Sequence, residues 1–388
     1  MAETADVIII GAGIHGASLA FHLAERGVKA TVLEKATVAA GATGRSSGMV
    51  RMHYDVEADA RLAWRSLAYF NDWAERVGGD SGFNDLGFLQ MVPPEEMVAL
   101  EANVAMQQRI GIVTGIVDAT EVRRLLPGID IGDDQVAAFE PHSGFADPTS
   151  STTSLMASAV DRGAHLVQRC AVTGVRVEGD RVLGVATTRG DFDAPIVVNA
   201  AGAWAGRVAE MVGLDVPIGV WRHDVAYVQR PPDVGRHIGF IDFANLFYSR
   251  PEGEALTLVA LEDGNPMDGD PDAPVDSAAP GFIERAAERI VRRLPPFARA
   301  GLHSAHSGQD GITPDQHPVI GPAGPEGFWL DCGYSGTGFK IAPAVGASLA
   351  QLIVEGPSAN DDLAIYRYAR FAEGRLIAGE HSYGDIWR

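Results

Sequence analysis

Lys340 lies in Gly333 to Pro343, "GYSGTGFKIAP", a glycine-rich loop that gives way to an apolar helix at that lysine. Of the 31 basic residues only Lys29, Lys35 and Lys340 are lysines, and the other 28 (31 minus 3) are arginines. A chain that writes arginine almost wherever a surface cation would serve has a use for a compact ammonium at position 340. Such a charge asks for a negative partner. A second cation, Arg51, sits among apolar and aromatic neighbours in "GATGRSSGMVRMHY", Gly41 to Tyr54. Its bland reading is a structural ion pair, set against a functional one. Within the same stretch "GRSSG" matches a nucleophile elbow by spacing. The serine follows small loop residues rather than a strand, so that chemistry is excluded. His303, His306 and His317 lie near Asp310 and Asp315, but no helical His pair results and Pro314 and Pro318 interrupt them. They read as surface or loop histidines, not metal ligands.

The elements that must position such residues begin at the N-terminus. Asp6 to Ile10 reads as a strand, "GAGIHG" as a turn, Ala17 to Glu25 as a helix and Ala30 to Leu33 as a second strand. Gly11, Gly13 and Gly16 permit a tight turn and close backbone approach, and the helix N-terminus faces a pyrophosphate. Glu34 follows the second strand, 18 residues past Gly16, where an acid accepts hydrogen bonds from a ribose. The motif says dinucleotide and leaves NAD and FAD both open.

Further along, Leu62 to Val77 reads as one helix, Phe83 to Val92 as strand-like, and a mixed helical region runs to about Leu126. Gly179-Asp180 reads as a tight turn between two strands, and "APIVVNAAGAWAG" as a buried strand. Residues 216 to 262 are strand-rich, and 264 to 280 form an acidic Pro/Gly/Asp loop. Ile283, Ala287, Ile290, Val291 and Leu294 make a helical stripe with the arginines between them on a solvated face. A net charge of −20 argues against nucleic acid and anionic membrane as partners. No apolar run approaches the roughly 20 residues of a membrane span. The N-terminus lacks a basic n-region, and two cysteines, Cys170 and Cys332, make no disulfide framework, so a cytoplasmic setting is expected.

Several segments together resemble one family. "DVIIIGAGIHG" with Glu34, "GATGRSSG…VRMHY", "GFADP", "IVVNAAGAWA", "ITPDQHPVIGP" and "GYSGTGFKIAPAVG" are similar, in that order, to the FAD-dependent amine and amino-acid oxidoreductases. That group includes D-amino acid oxidase, glycine oxidase, sarcosine oxidase and dimethylglycine dehydrogenase. The likeness is greatest to sarcosine oxidases and the flavin subunits of multi-subunit sarcosine oxidases. It implies an α/β (α+β) fold: a Rossmann-like FAD-binding domain with a discontinuous second, mainly antiparallel β-sheet substrate domain. The expected division is 1–80, 146–214 and 308–388 for FAD, and 81–145 and 215–307 for substrate.

By this resemblance Gly11, Gly13, Ile14, His15, Gly16, Glu34 and Lys35 surround the adenosine and pyrophosphate. Thr43, Gly44, Arg45, Ser46 and Ser47 follow the cofactor towards the flavin. Val172, Ala201, Gly202 and Trp204 touch it from the middle of the chain. Gly336, Thr337, Gly338, Phe339 and Lys340 close over the ring. Arg51 and Lys340 match the arginine and lysine that hold the substrate carboxylate in sarcosine oxidases. An amine must be neutral to release hydride, and His53, Tyr54, His223 and Tyr248 are candidates to tune its proton. Two departures matter. "AHSGQDGITPDQH" lacks the cysteine that carries covalent flavin in some members, so FAD is expected to be non-covalent. Residues 215 to 309 hold no lysine to assist the reaction with oxygen, so the electron acceptor stays open between oxygen and another oxidant. The expected activity is oxidation of a C–N bond in a small amino acid or N-alkyl amino acid. The alternatives are a 2-hydroxy-acid dehydrogenase, or a flavin subunit working with partner subunits.

Overall fold

The computed structural model describes residues 3–264, 267–356 and 362–383. Val7–Ile10 is buried at every position, which explains its unbroken apolar run. Val7 and Ile9 enter one core and Ile8 and Ile10 another, on opposite faces of a six-stranded sheet. The strand order is 165–167, 30–33, 7–10, 196–199, 328–332, 319–322, parallel throughout except for the last pair. Helices Ile14–Glu25, Pro148–Asp161 and Gly338–Glu355 cover the first face. A four-stranded sheet containing the hairpin Val172–Glu178 and Arg181–Thr187 covers the second, and its turn falls at Gly179 and Asp180 as expected.

A second sheet has eight strands in the order 301–312, 219–229, 256–261, 247–252, 239–242, 88–91, 136–140, 115–118. It is antiparallel apart from the pairing of Gly239–Asp242 with Phe88–Met91. One face packs on helix Phe282–Arg293 through Leu89, Phe240, Phe247, Val259 and Leu261. The other carries Val225, Ile241, Tyr248, Leu258 and Ala260. The expected 307/308 boundary falls inside the continuous strand Gly301–Ile312.

Three local expectations need correction. The single helix over 62–77 is two, Glu57–Asn71 and Trp73–Arg76, separated at Asp72. In helix Phe282–Arg293 the buried stripe is Phe282, Ala286 and Ile290, one residue out of phase with Ile283 and Ala287. Its arginines are not all solvated, since Arg293 is buried and grips Asp242 with Nε and Nη2. Among the described residues no helix is long and apolar enough to cross a membrane.

Candidate active site

The strand Val7–Ile10 ends at Gly11, whose N–H donates to Leu33 O at 2.9 Å. Gly11 has φ +110, and a Cβ there would stand 2.5 Å from Ala200 O. Only glycine fits. Gly16 serves packing, since its Cβ would lie 2.0 Å from Gly11 O. Glu34 accepts from Ala12 N at 2.8 Å and Ala36 N at 2.7 Å, bracing the turn at the cavity wall. Thr43 Oγ1 accepts from Ile14 N at 3.1 Å, tying the "GATG" loop to the first turn of the helix.

The two glycine loops, more than 300 residues apart in sequence, meet through His15. Its Nε2 pairs with Gly338 O at 3.0 Å and its ring stacks on Tyr334 at 3.5 Å. Burial pushes the His15 pKa down to about 3, so the ring is neutral. Helix Gly338–Glu355 is seated against helix Ile14–Glu25 where Ser18 Oγ donates to Ala342 O at 2.8 Å. Gly346 has no Cβ to clash with Ser18 at that crossing. This contact fixes the first turn of the helix, and with it Lys340.

One cavity of about 600 Å³ runs between the six- and eight-stranded sheets, from Glu34 and Lys35 to Arg51, Lys340 and Glu262. A glycine turn, helix N-terminus and acid at one end and a second glycine loop at the other fit the FAD that the sequence implies. Of the expected cofactor residues, Gly11, Gly13, Ile14, His15, Glu34, Lys35, Thr43, Arg45, Ser46 and Ser47 line it. So do Val172, Ala201, Gly202, Trp204, Gly336, Gly338, Phe339 and Lys340. Gly16, Gly44 and Thr337 do not; they shape the loops from behind. Gly44 packs under Ala39 O, and Thr337 Oγ1 donates to Tyr334 O at 2.7 Å. Lys35 is committed to protein rather than standing free. Its Nζ lies 3.4 Å from the centroid of the Trp204 ring and donates to Asp272 at 3.0 Å. Asp272 also accepts from Trp204 Nε1 and Arg207, so the acidic loop is strapped across this end of the cavity.

Arg51 and Lys340 are buried and brought together: their cations stand 4.8 and 5.5 Å from the centroid of the Tyr54 ring. Burial and then the Arg51 charge hold the Lys340 ammonium well below its usual pKa, opposed by Glu262, Asp59 and Asp310. Asp310 accepts from Gly336 N and Gly311 N, each at 2.8 Å, and so clamps the second glycine loop. Among the proton-handling candidates, Tyr248 and His223 line the cavity and pair at 2.7 Å. Burial lowers the His223 pKa to about 4.

His53 and Tyr54 lie behind the wall. Arg51 lines the cavity, while the His53 ring pairs with Tyr383 OH at 2.6 Å and the Tyr54 ring lies against the two cations. The surface reading of the histidines holds for exposed His303 and fails for His317. His303 and His306 are on the strand Gly301–Ile312, and His317 is buried with Nε2 2.9 Å from Asp59 Oδ2. Among the described residues no His, Cys, Asp and Glu group could hold a metal.

Sequence reasoning missed Glu262, Asp310, Trp221, Tyr334 and Asp331, all on the cavity wall. Glu262 left a trace: Leu258, Ala260 and Glu262 continue one alternation, so a charge falls where the pattern calls for an inward side chain. Cys170 is the cysteine at the wall, at the Glu34 end, where its N–H donates to Glu34 O at 2.8 Å. Cys332 is packed in the core and does not line the cavity, so acid precipitation is expected to leave yellow flavin in the supernatant. Colour retained in the pellet would show a covalent link.

Comparison with known proteins gives a consistent result. Residues 6–352 match the DAO family of FAD dependent oxidoreductases. The chain is 30% identical over 377 residues to mitochondrial sarcosine dehydrogenase of Mus musculus, covering 92% of this chain and 40% of that enzyme. It thus spans about two fifths of that relative's length. It is 27% identical to sarcosine oxidase subunit beta of an Arthrobacter species, covering 98% and 94% of the two chains. The L-proline dehydrogenase structure from P. horikoshii superposes with a TM-score of 0.90 at 27% identity, covering 97% of this chain and all of that one.

Proposed function

The chain belongs to the family of FAD dependent oxidoreductases, and from that premise we propose that it oxidises the C–N bond of a small amino acid or N-alkyl amino acid, of the sarcosine kind. The observation that carries this reading is the buried pair Arg51 and Lys340 at one end of the cavity. Two cations withdrawn from water suit a carboxylate, which gains charge-assisted hydrogen bonds from both. In this reading the eight-stranded sheet is the substrate-binding part and the six-stranded sheet the FAD-binding part. FAD, when bound, supplies the acceptor for hydride leaving the carbon next to nitrogen. The protein's residues orient and dehydrate the substrate: Arg51 and Lys340 anchor the carboxylate, and Ile241, Phe339 and Met49 exclude water. His223, neutral at pH 7, shares a proton with the Tyr248 hydroxyl beside the bound amine. The resulting imine leaves by hydrolysis.

Anaerobic mixing with amino acids, N-methyl amino acids and 2-hydroxy acids tests this directly. Small amino or N-alkyl amino acids should bleach the flavin absorbance, and bleaching by hydroxy acids alone would sink the reading. Readmitted oxygen should restore the colour slowly, and a quinone or dye rapidly. The eight-stranded sheet offers the cavity His223, Tyr248, Ile241 and Glu262 but no lysine to stabilise reduced oxygen. Fast peroxide formation would assign that role to Lys340.

A second reading is a flavin-carrying subunit of a larger assembly, favoured by near full-length similarity to a sarcosine oxidase subunit beta. Turnover of the chain alone with a dye separates the two readings.

A further inference from the structure

We propose that Glu262 is the group that receives the substrate ammonium, holding it beside the carboxylate anchors and taking its proton before the C–N bond is oxidised. The proposal rests on the amino-acid reading above and extends it to a residue that the motifs do not mark.

Glu262 directly follows the strand Leu256–Leu261 and continues its ladder through a bond from its own N–H to Leu246 O at 2.9 Å. Ala260 pairs with Tyr248 on one side and Val225 on the other, and side chains two residues apart share a face. Glu262 therefore points to the same side as Tyr248 and, beyond Val225, His223. All three line the cavity, and Glu262 is only 7% exposed. Arg51 and Lys340 reach the same cavity end from other elements, the segment after strand Met49–Val50 and the first turn of helix Gly338–Glu355. One end of the cavity thus presents two cations and one carboxyl group. An amino acid carries a carboxylate and an ammonium separated by a single carbon, and answers both signs at once.

The protonation of Glu262 suits this role. Burial raises its pKa to about 7, against the pull of Arg51 and Lys340 and with a small push from Asp263. Other charged or titratable groups nearby are Tyr248 with its partner His223, and Asp310 and Asp59, which act on Lys340. A carboxylate arriving between Arg51 and Lys340 offsets their pull on Glu262 and raises its pKa further, strengthening it as a base. The step balances as a proton transfer: an ammonium N–H bond breaks, an O–H bond forms on Glu262, the nitrogen keeps the electron pair, and nothing is oxidised. Without such an acceptor the site would have to wait for the small fraction of substrate already neutral in solution.

The competing account makes Glu262 only a counter-ion for the two cations. Titration of the flavin absorbance of the holoenzyme separates the two, with acetate as a carboxylate alone and glycine betaine as a carboxylate plus fixed cation. Glu262→Gln should weaken glycine betaine at least tenfold while acetate binds as well or better. With an amino acid that bleaches the flavin, the rising limb of kcat/KM in the wild type should lie near neutral pH, and in Glu262→Gln should move up towards the substrate amine's own pKa. Glu262→Asp, keeping the charge on a shorter arm, should recover part of the glycine betaine affinity. Equal changes for both ligands, or an unmoved limb, overturn the proposal. Failure of wild type to bind either ligand or to bleach with any amino acid would instead overturn the amino-acid reading, and this inference with it.

Discussion

Lys340→Met should lower kcat/KM for an amino acid by roughly 30- to 1000-fold while leaving its decarboxylated amine far less affected. The size follows from removing one of the two cations proposed to hold a desolvated carboxylate, a loss of about 2–4 kcal/mol in transition-state stabilisation. Methionine keeps the apolar stem in the packed first turn, so the change isolates the charge. Arg51→Lys is the complementary variant, since it keeps the charge and removes the fork. The lowered Lys340 pKa adds a pH signature. The ammonium exists only below that pKa, so KM for a carboxylate substrate should climb as pH rises through it, and Lys340→Met should lack that limb. Steady-state kinetics of the paired substrates on both variants decide the matter. Equal losses on amino acid and amine would mean that Lys340 serves the flavin alone.

The first strand, its glycine turn and Glu34 were legible in the sequence because local rules dictate them: a fully buried parallel strand is apolar without alternation, and Gly11 has no room for a Cβ. Lys340 was legible through composition, as a rare lysine in a chain of arginines. The rest depended on contacts that sequence separation hides. Lys35 lines the cavity beside Glu34, yet nothing local says that Asp272, more than 200 residues on, will claim its ammonium. His53 and Tyr54 stand next to Arg51 in sequence, but Tyr383, 330 residues on, claims the His53 ring, and Tyr54 lies against the cations instead of lining the cavity. The arginine stripe of helix Phe282–Arg293 reads as solvated because helical periodicity alone does not reveal that Asp242 waits in the sheet beneath Arg293. Asp315 and His317 misled for the same reason, because their partners Arg370 and Asp59 lie more than 50 residues away in either direction.

That last cluster should govern stability. Arg370 is fully buried, and donates from Nε to Asp315 Oδ2 at 2.7 Å and from Nη2 to Asp315 Oδ1 at 2.9 Å. Its remaining donors reach the carbonyls of Tyr366, Arg367 and His317, and Asp315 also accepts from Ile377 N at 3.1 Å. The segment after residue 361 is therefore pinned to the turn that leads into strand Val319–Pro322. Arg370→Met removes the cation and leaves Asp315 buried, which should cost about 3–5 kcal/mol. The sign of the pH dependence follows from Asp315. Burial pushes its pKa up, but Arg370 and the Ile377 N–H outweigh that and hold the folded value below the usual one. The pair's contribution is thus fully present above the ordinary carboxylate range and is lost as pH falls through the lowered value. In Arg370→Met the burial effect is unopposed by the cation and the Asp315 pKa rises, so the variant's deficit should shrink on mild acidification, which neutralises the stranded carboxylate. Asp315→Asn with Arg370→Met should cost less than the two single changes added together, because neither partner is then left charged and alone. Denaturant titrations of the wild type, both single variants and the double variant at neutral and mildly acidic pH measure all three expectations. A deficit for Arg370→Met that is small, additive and independent of pH would mean that packing of the C-terminal segment, rather than this ion pair, holds it in place.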